Sequence, residues 1–209
     1  MTEDDNRTGR RIASQDDKNK MVCWLTVALA ASIVGSSFTK FLVPIIAATL
    51  LNAQAGHLAV LTALPALIAV ALRLPAGHGA DGTTHGFRYM LWLDYLRAVI
   101  LLLIPILWAF HSLNIAVLIA IVSVMAIANV SYTALLGPSI PVIADGPHIG
   151  NVNARVSVIV STADITGPPV AGALLQVLAA PFVILVDVAS YLISAANQRK
   201  IVHADEFRA

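Results

Sequence analysis

The sequence predicts an all-α membrane protein of six transmembrane helices, arranged as two inverted three-helix repeats. Three observations carry this expectation. Hydrophobic residues make up 58% of the 209-residue chain and charged residues only 12%, with a mean hydropathy of +0.80; a soluble domain carries roughly 25% charge. The apolar residues fall into six runs, each long enough as a helix to cross a hydrocarbon core about 30 Å thick. Segments of the first half also return in the second at a nearly fixed offset. Such Ala/Leu-rich runs satisfy their backbone internally as helices, not as barrel strands. The formal net charge of +1 is uninformative, and the single cysteine, Cys23, excludes an internal disulfide and offers no metal or redox pattern.

Taken in order, residues 1–20 hold five basic and five acidic side chains with almost no apolar ones, the composition of a disordered cytoplasmic tail. No secretory signal is evident. The six spans are expected at 21–50, 56–74, 88–110, 115–136, 153–178 and 181–196, and 198–209 reads as a cytoplasmic tail that begins a truncated linker. Between spans 2 and 3 lies Leu74-Pro-Ala-Gly-His-Gly-Ala-Asp-Gly-Thr-Thr-His-Gly-Phe-Arg88, a glycine-rich polar stretch that reads as a water-facing loop. Arg7, Arg10, Arg11, Lys18, Lys20, Arg73, Arg88, Arg155, Arg199, Lys200 and Arg208 all fall on one side of such a bundle, and the turns at 52–55, 111–114 and 179–180 carry no lysine or arginine. The positive-inside rule then places both termini in the cytoplasm, and the expected location of this multi-pass protein is the plasma (inner) membrane.

The repeat is visible in Ser37-Phe-Thr-Lys-Phe-Leu-Val-Pro44, echoed by Ser131-Tyr-Thr-Ala-Leu-Leu-Gly-Pro138. The same offset of 94 relates Gly56 to Gly150 and Pro75 to Pro169, and one of 93 relates Asp94 to Asp187. Three helices per unit is an odd number, so the second unit must run inverted, as in many secondary transporters.

Four stretches together resemble the major facilitator superfamily, in its bacterial drug- and siderophore-exporter branch (enterobactin-exporter-like and macrolide-efflux-like proteins). They are Leu74-Pro-Ala-Gly-His-Gly-Ala-Asp81, Asp94-Tyr-Leu-Arg-Ala98, Gly167-Pro-Pro-Val-Ala-Gly172 and Leu185-Val-Asp-Val-Ala-Ser-Tyr-Leu-Ile-Ser194. The resemblance runs from about residue 21 to 197 and implies the N-terminal six-helix half of a major facilitator fold. The family's loop between helices 2 and 3 reads Gly-x-x-x-Asp-Arg with further basic residues, and it latches the cytoplasmic ends of the two halves. Gly77 and Asp81 match it, Gly82 stands where the arginine belongs, and the basic follow-up is reduced to His85 and Arg88. Gly167, Pro168 and Gly172 look like the helix-5 motif of exporters. The family works with twelve helices, so the resemblance implies a second six-helix half, from another chain or a second copy, as partner beside the lipid bilayer and a small-molecule substrate.

Charges inside a bilayer are costly unless paired or wet, which makes each one a candidate site. Lys40 lies in span 1 and Asp164 near the middle of span 5. By the family arrangement helices 1 and 5 line the transport cavity, so a Lys40–Asp164 pair, or Asp164 alone as proton acceptor, would form the substrate and proton pathway. The competing readings are a Lys40 that snorkels to the headgroups and an Asp164 that only bonds neighbouring helices. Asp94 and Arg97, three apart, share a helix face. Arg97 lies about 14 Å into span 3 and Asp187 about 18 Å from Arg199, depths that allow an Arg97–Asp187 bridge and hence an intramembrane charge clamp of Asp94, Arg97 and Asp187.

His78, Asp81 and His85 lack a rigid frame and a fourth partner, so no metal site is expected. No nucleophile–base arrangement or phosphate loop appears, so no enzyme activity and no cofactor are expected. The basic residues mark a membrane face and do not point to nucleic acid. The expected function is the N-terminal half of a secondary active transporter, proton-coupled and exporting small amphipathic compounds by alternating access. The alternatives are an inactive truncated transporter fragment and a membrane scaffold protein without transport of its own.

Overall fold

The computed structural model describes the backbone of residues 3–81, 86–143 and 146–206, and the side chains of 20–73, 86–139 and 150–203. Its elements are six helices: α1 (Glu3–Leu50), α2 (Ala55–Asp81), α3 (Gly86–Ala109), α4 (Ile115–Ile143), α5 (Gly146–Leu174) and α6 (Ala180–Glu206). Five of them contain stretches long and apolar enough to cross a membrane: Lys20–Leu50, Ala55–Arg73, Gly86–Ala109, Ile115–Ser139 and Ala180–His203. The chain is therefore an all-α membrane protein.

The helices depart from the expected spans where hydropathy and backbone part company. α5 is the one helix outside the apolar five, because Arg155, Ser157, Ser161, Thr162, Asp164 and Thr166 interrupt it. It also stops at Leu174, where the chain tightens into short turns (Gln176 N–H to Ala173 O, 3.2 Å; Val177 N–H to Leu174 O, 3.1 Å), not at residue 178. α1 is helical back to Glu3, where a disordered tail was expected. A long apolar helix already supplies the nucleus that an isolated polar segment would have to form. α2 runs on to Asp81 and α3 starts at Gly86, so most of the expected loop from Leu74 is helix; residues 82–85 lie outside the described residues. α6 likewise continues through Gln198, which was expected to open a tail.

The ends that are well defined have local causes. Asn52 and His111 adopt left-handed backbone, φ 47° and 53°. Beyond them Ala53 N–H turns back to Ala47 O and Ser112 N–H to Leu107 O, both at 2.9 Å, and close the last turns of α1 and α3. The side chain of Asn114 then caps α4, its Oδ1 accepting from Val117 N–H at 2.9 Å.

In space the helices lie side by side in the order α2, α4, α3, α6, α1, α5, each packed chiefly on its neighbours in that series. α2 and α5 stand at its two ends and touch other helices only lightly. Two apolar cores form along the bundle. The larger holds Leu42, Ile46, Leu101, Leu118, Met125 and Ile184, with their neighbours. The smaller holds Met21, Leu25, Phe87, Met90 and Ile201, among others. Between the two cores, on α1, α3 and α6, buried positions turn polar, and α4 contributes the half-buried Asn129.

Candidate functional site

That polar layer is built around Asp94 and Arg97. Each sits on the inner face of α3, and they are 0% and 2% exposed. Their three-residue spacing lets Arg97 Nη2 pair with Asp94 Oδ1 on the same helix. Arg97 Nη1 donates to Asn129 Oδ1 of α4 at 3.0 Å and reaches Ser32 Oγ of α1 at 3.5 Å, while its Nε donates to Leu93 O at 3.3 Å. Its guanidinium lies 4.1 Å from the ring centre of Tyr132 and 4.7 Å from that of Tyr191. Cation–π contacts of this kind are worth about 2 kcal/mol or more when desolvated. The second oxygen of Asp94 accepts from Ser194 Oγ at 2.6 Å and from Gln198 Nε2 at 2.7 Å, and Gln198 Nε2 also meets Tyr132 OH at 2.7 Å. One buried ion pair thus ties α1, α3, α4 and α6 together.

Asp187, also 0% exposed, belongs to the same layer but not to that pair. The expected Arg97–Asp187 bridge is not made, because Arg97 finds its carboxylate one turn away on its own helix. The partners of Asp187 are hydroxyls: Thr39 Oγ1 of α1 donates to its Oδ2, and Ser190 Oγ to its Oδ1 at 3.1 Å. The backbone of α1 comes in so closely at Gly35 that a Cβ there would collide with Asp187 Oδ1 and Ser190 Oγ. Glycine at that position is what lets α1 and α6 meet.

A cavity of about 310 Å³ opens between α1, α2 and α4, with α3 and α6 at its floor. Its walls are mainly apolar (Val43, Leu61, Leu101, Ile121 and Met125 among them), with Ser36, Thr39, Lys40, Thr62, Asn129 and Tyr191 as polar members. Three of these connect the cavity to the buried layer. Asn129 accepts from Arg97, Thr39 donates to Asp187, and Tyr191 stacks on Arg97 while sharing a 2.9 Å hydrogen bond with Ser36.

Lys40 and Asp164 do come together, Nζ to Oδ1 at 3.8 Å, and Ser37 Oγ lies 3.4 Å from the same oxygen. Their side chains are 71% and 55% exposed, so this pair sits on the open face of α1 and α5, with Lys40 at the cavity wall. Of the helix-5 motif, Gly167 is buried and a Cβ there would meet Ser37 Cβ at 2.7 Å, whereas one at Gly172 would meet nothing within 4 Å. Close approach of α5 to α1 therefore falls on Gly167 and not on Gly172; Pro168, between them, is half-buried. Arg88 is exposed on the first turn of α3. The side chains at Gly77 and Asp81 lie outside the described residues, although their backbone belongs to the end of α2. Among the described residues no group of three or more His, Cys, Asp or Glu side chains could hold a metal ion.

Sequence reasoning missed Thr39, Asn129, Tyr132, Tyr191, Ser194 and Gln198. A signal was available. Asp187, Ser190, Tyr191, Ser194 and Gln198 fall at i, i+3, i+4, i+7 and i+11 along α6, and Ser32, Gly35, Ser36 and Thr39 at i, i+3, i+4 and i+7 along α1. Each set is one polar or small-residue stripe on an apolar helix.

No known family model matches the chain, and no curated protein matches it either. The resemblance to the major facilitator exporters therefore stands on the four stretches quoted above.

Proposed function

We propose that the chain is the N-terminal half of a secondary active transporter, a proton-coupled exporter of small amphipathic compounds that works by alternating access. The observation that carries this reading is the cavity. It is apolar over most of its wall, carries the exposed amine of Lys40, and includes two polar lining residues, Thr39 and Asn129, bonded to the buried charges. A small molecule with an apolar body and one polar or charged group fits such a lining.

Two further features support it. The helix pairs that pack most closely are exchanged among themselves when α1, α2 and α3 are swapped with α4, α5 and α6: α1·α5 with α2·α4, α1·α6 with α3·α4, and α3·α6 with itself. That is the packing two inverted three-helix units would give, and the 94-residue sequence offset relates the same helices. The terminal helices α2 and α5 also leave exposed faces. That of α5 carries Ser157, Ser161, Thr162 and Asp164, which lipid tails cannot satisfy. Those groups call for water or protein, as they would have at the seam with a second six-helix half. In this reading Lys40 and Asp164 face the substrate and proton pathway, and Gly77, Asp81 and Arg88 act at a cytoplasmic gate. The protein spans the plasma (inner) membrane with both termini in the cytoplasm.

The test is pH-gradient-driven transport of a lipophilic fluorescent dye in vesicles carrying the full chain, alone and with a candidate second half. Transport that drops at least tenfold in Asp164→Asn, at unchanged membrane levels, supports the reading. Absence of transport in both preparations removes it and leaves the inactive fragment or the scaffold.

A further inference from the structure

The charges of the buried layer do not balance. Arg97 brings one positive charge and Asp94 and Asp187 bring two carboxyls, all shielded from solvent. Asp94 holds the direct ion pair with Arg97 and accepts from Ser194 and Gln198 as well, a set of donors that suits a carboxylate. Asp187 touches no cation. With both aspartates ionised, the layer would hold an uncompensated negative charge away from water, the arrangement that proteins avoid. One proton on the layer removes it.

The surroundings of Asp187 suit a group that gains and loses that proton. Its two contacts are hydroxyls, which can donate to a carboxylate or accept from a carboxylic acid by rotating, as no guanidinium or ammonium can. One of them, Thr39, also lines the cavity, so a buried carboxyl lies a single hydroxyl away from water. Among the described residues, the charged and titratable groups that act on it are Arg97 from α3 and Tyr191 from α6 itself. From α1 come Thr39 and the bare backbone of Gly35, while Lys40 is paired with Asp164.

We propose that Asp187 is a buried proton-exchanging carboxyl, in addition to the exposed Asp164, loaded and unloaded from the cavity through the hydroxyl of Thr39. In the loading step a hydronium in the cavity gives a proton to Thr39 Oγ1 while the threonine's own hydroxyl proton passes to Asp187 Oδ2. The products are water, an unchanged neutral threonine and a carboxylic acid. As the site of coupling this rests on the transport reading; as an exchangeable buried acid it does not.

The experiment is infrared difference spectroscopy of the purified full chain in lipid at neutral pH, following the C=O band of a protonated carboxyl and its shift on transfer to deuterated water. The wild-type protein is expected to show the band, and Asp187→Asn to lose it. In Thr39→Val the band is expected to remain but to shift at least tenfold more slowly after deuteration. Thr39→Val leaves the carboxyl in place, so the route is tested even if Asp187→Asn misfolds. A band that survives in folded Asp187→Asn, or an exchange rate unchanged in Thr39→Val, overturns the proposal. Neither measurement uses transport: a silent transport assay beside an intact, Thr39-dependent band would sink the transporter reading and leave the proton site standing.

Discussion

The molecule holds two acid–base pairs whose surroundings are opposite. Asp94–Arg97 lies sealed between four helices with nearly every polar atom matched, while Lys40–Asp164 lies on an open face with more than half of each side chain accessible. The chemistry of the two pairs is similar; what they can do is not. A buried pair stripped of one member strands the other in an apolar interior, whereas an exposed pair loses little when broken because water replaces the partner. The first pair is a fastening and the second is free to meet something else. Both are intramembrane charges by sequence, and only packing tells them apart.

The sharpest break of this comparison is Arg97→Met. It orphans Asp94 and leaves the layer with two buried carboxyls and no cation, and it removes the cation stacked on Tyr132 and Tyr191. A loss of about 3–5 kcal/mol is expected, read as a collapse in melting temperature or in folded yield from membranes. Arg97→Lys should recover only part of it, since a point-like ammonium cannot serve Asp94, Asn129 and two rings at once. A melting temperature near wild type in Arg97→Met would show that the layer does not hold the bundle.

Gly35→Ala comes next. The added methyl has nowhere to go but into Asp187 and Ser190, and overpacking of this kind costs about 1–3 kcal/mol. The matching change at the exposed pair, Lys40→Ala, should cost less than about 1 kcal/mol in the same melting assay. If the pathway assignment is right, it should nonetheless lower dye transport severalfold. Stability and activity would then move in opposite order for the two sites. A Lys40→Ala variant as unstable as Arg97→Met would erase the distinction between them.

How much of this was legible in the sequence follows the same division. The membrane class and five helices long and apolar enough to cross came from hydropathy, because a bilayer imposes a length and polarity that composition records directly. The charges announced themselves for the same reason. Their partners did not, since depth along a helix says nothing about rotation around it. Arg97 and Asp187 lie at compatible depths, yet Arg97 turns to Asp94 and Asp187 turns to Thr39. The reading of 74–88 as a loop failed differently: hydropathy marks where the bilayer ends, while α2 continues as helix to Asp81. Gln198 was lost in the same way, its polarity suggesting a tail when it is the buried donor to Asp94.

The smallest expected effect tests how far the helix-5 glycines act as one motif. Gly167 and Gly172 are five residues apart, so they point away from each other around α5. Only Gly167 faces α1, where a Cβ would press on Ser37, the neighbour whose hydroxyl also approaches Asp164. Gly167→Ala should therefore loosen the α1–α5 contact and disturb the Lys40–Asp164 pair. Gly172→Ala meets open space and replaces a poor helix former with the best one, a change expected to be neutral or to stabilise by up to about 1 kcal/mol. Side-by-side melting curves decide it. Equal losses at the two positions would mean that Gly172 meets a surface beyond this six-helix bundle, the place where a second half would have to sit.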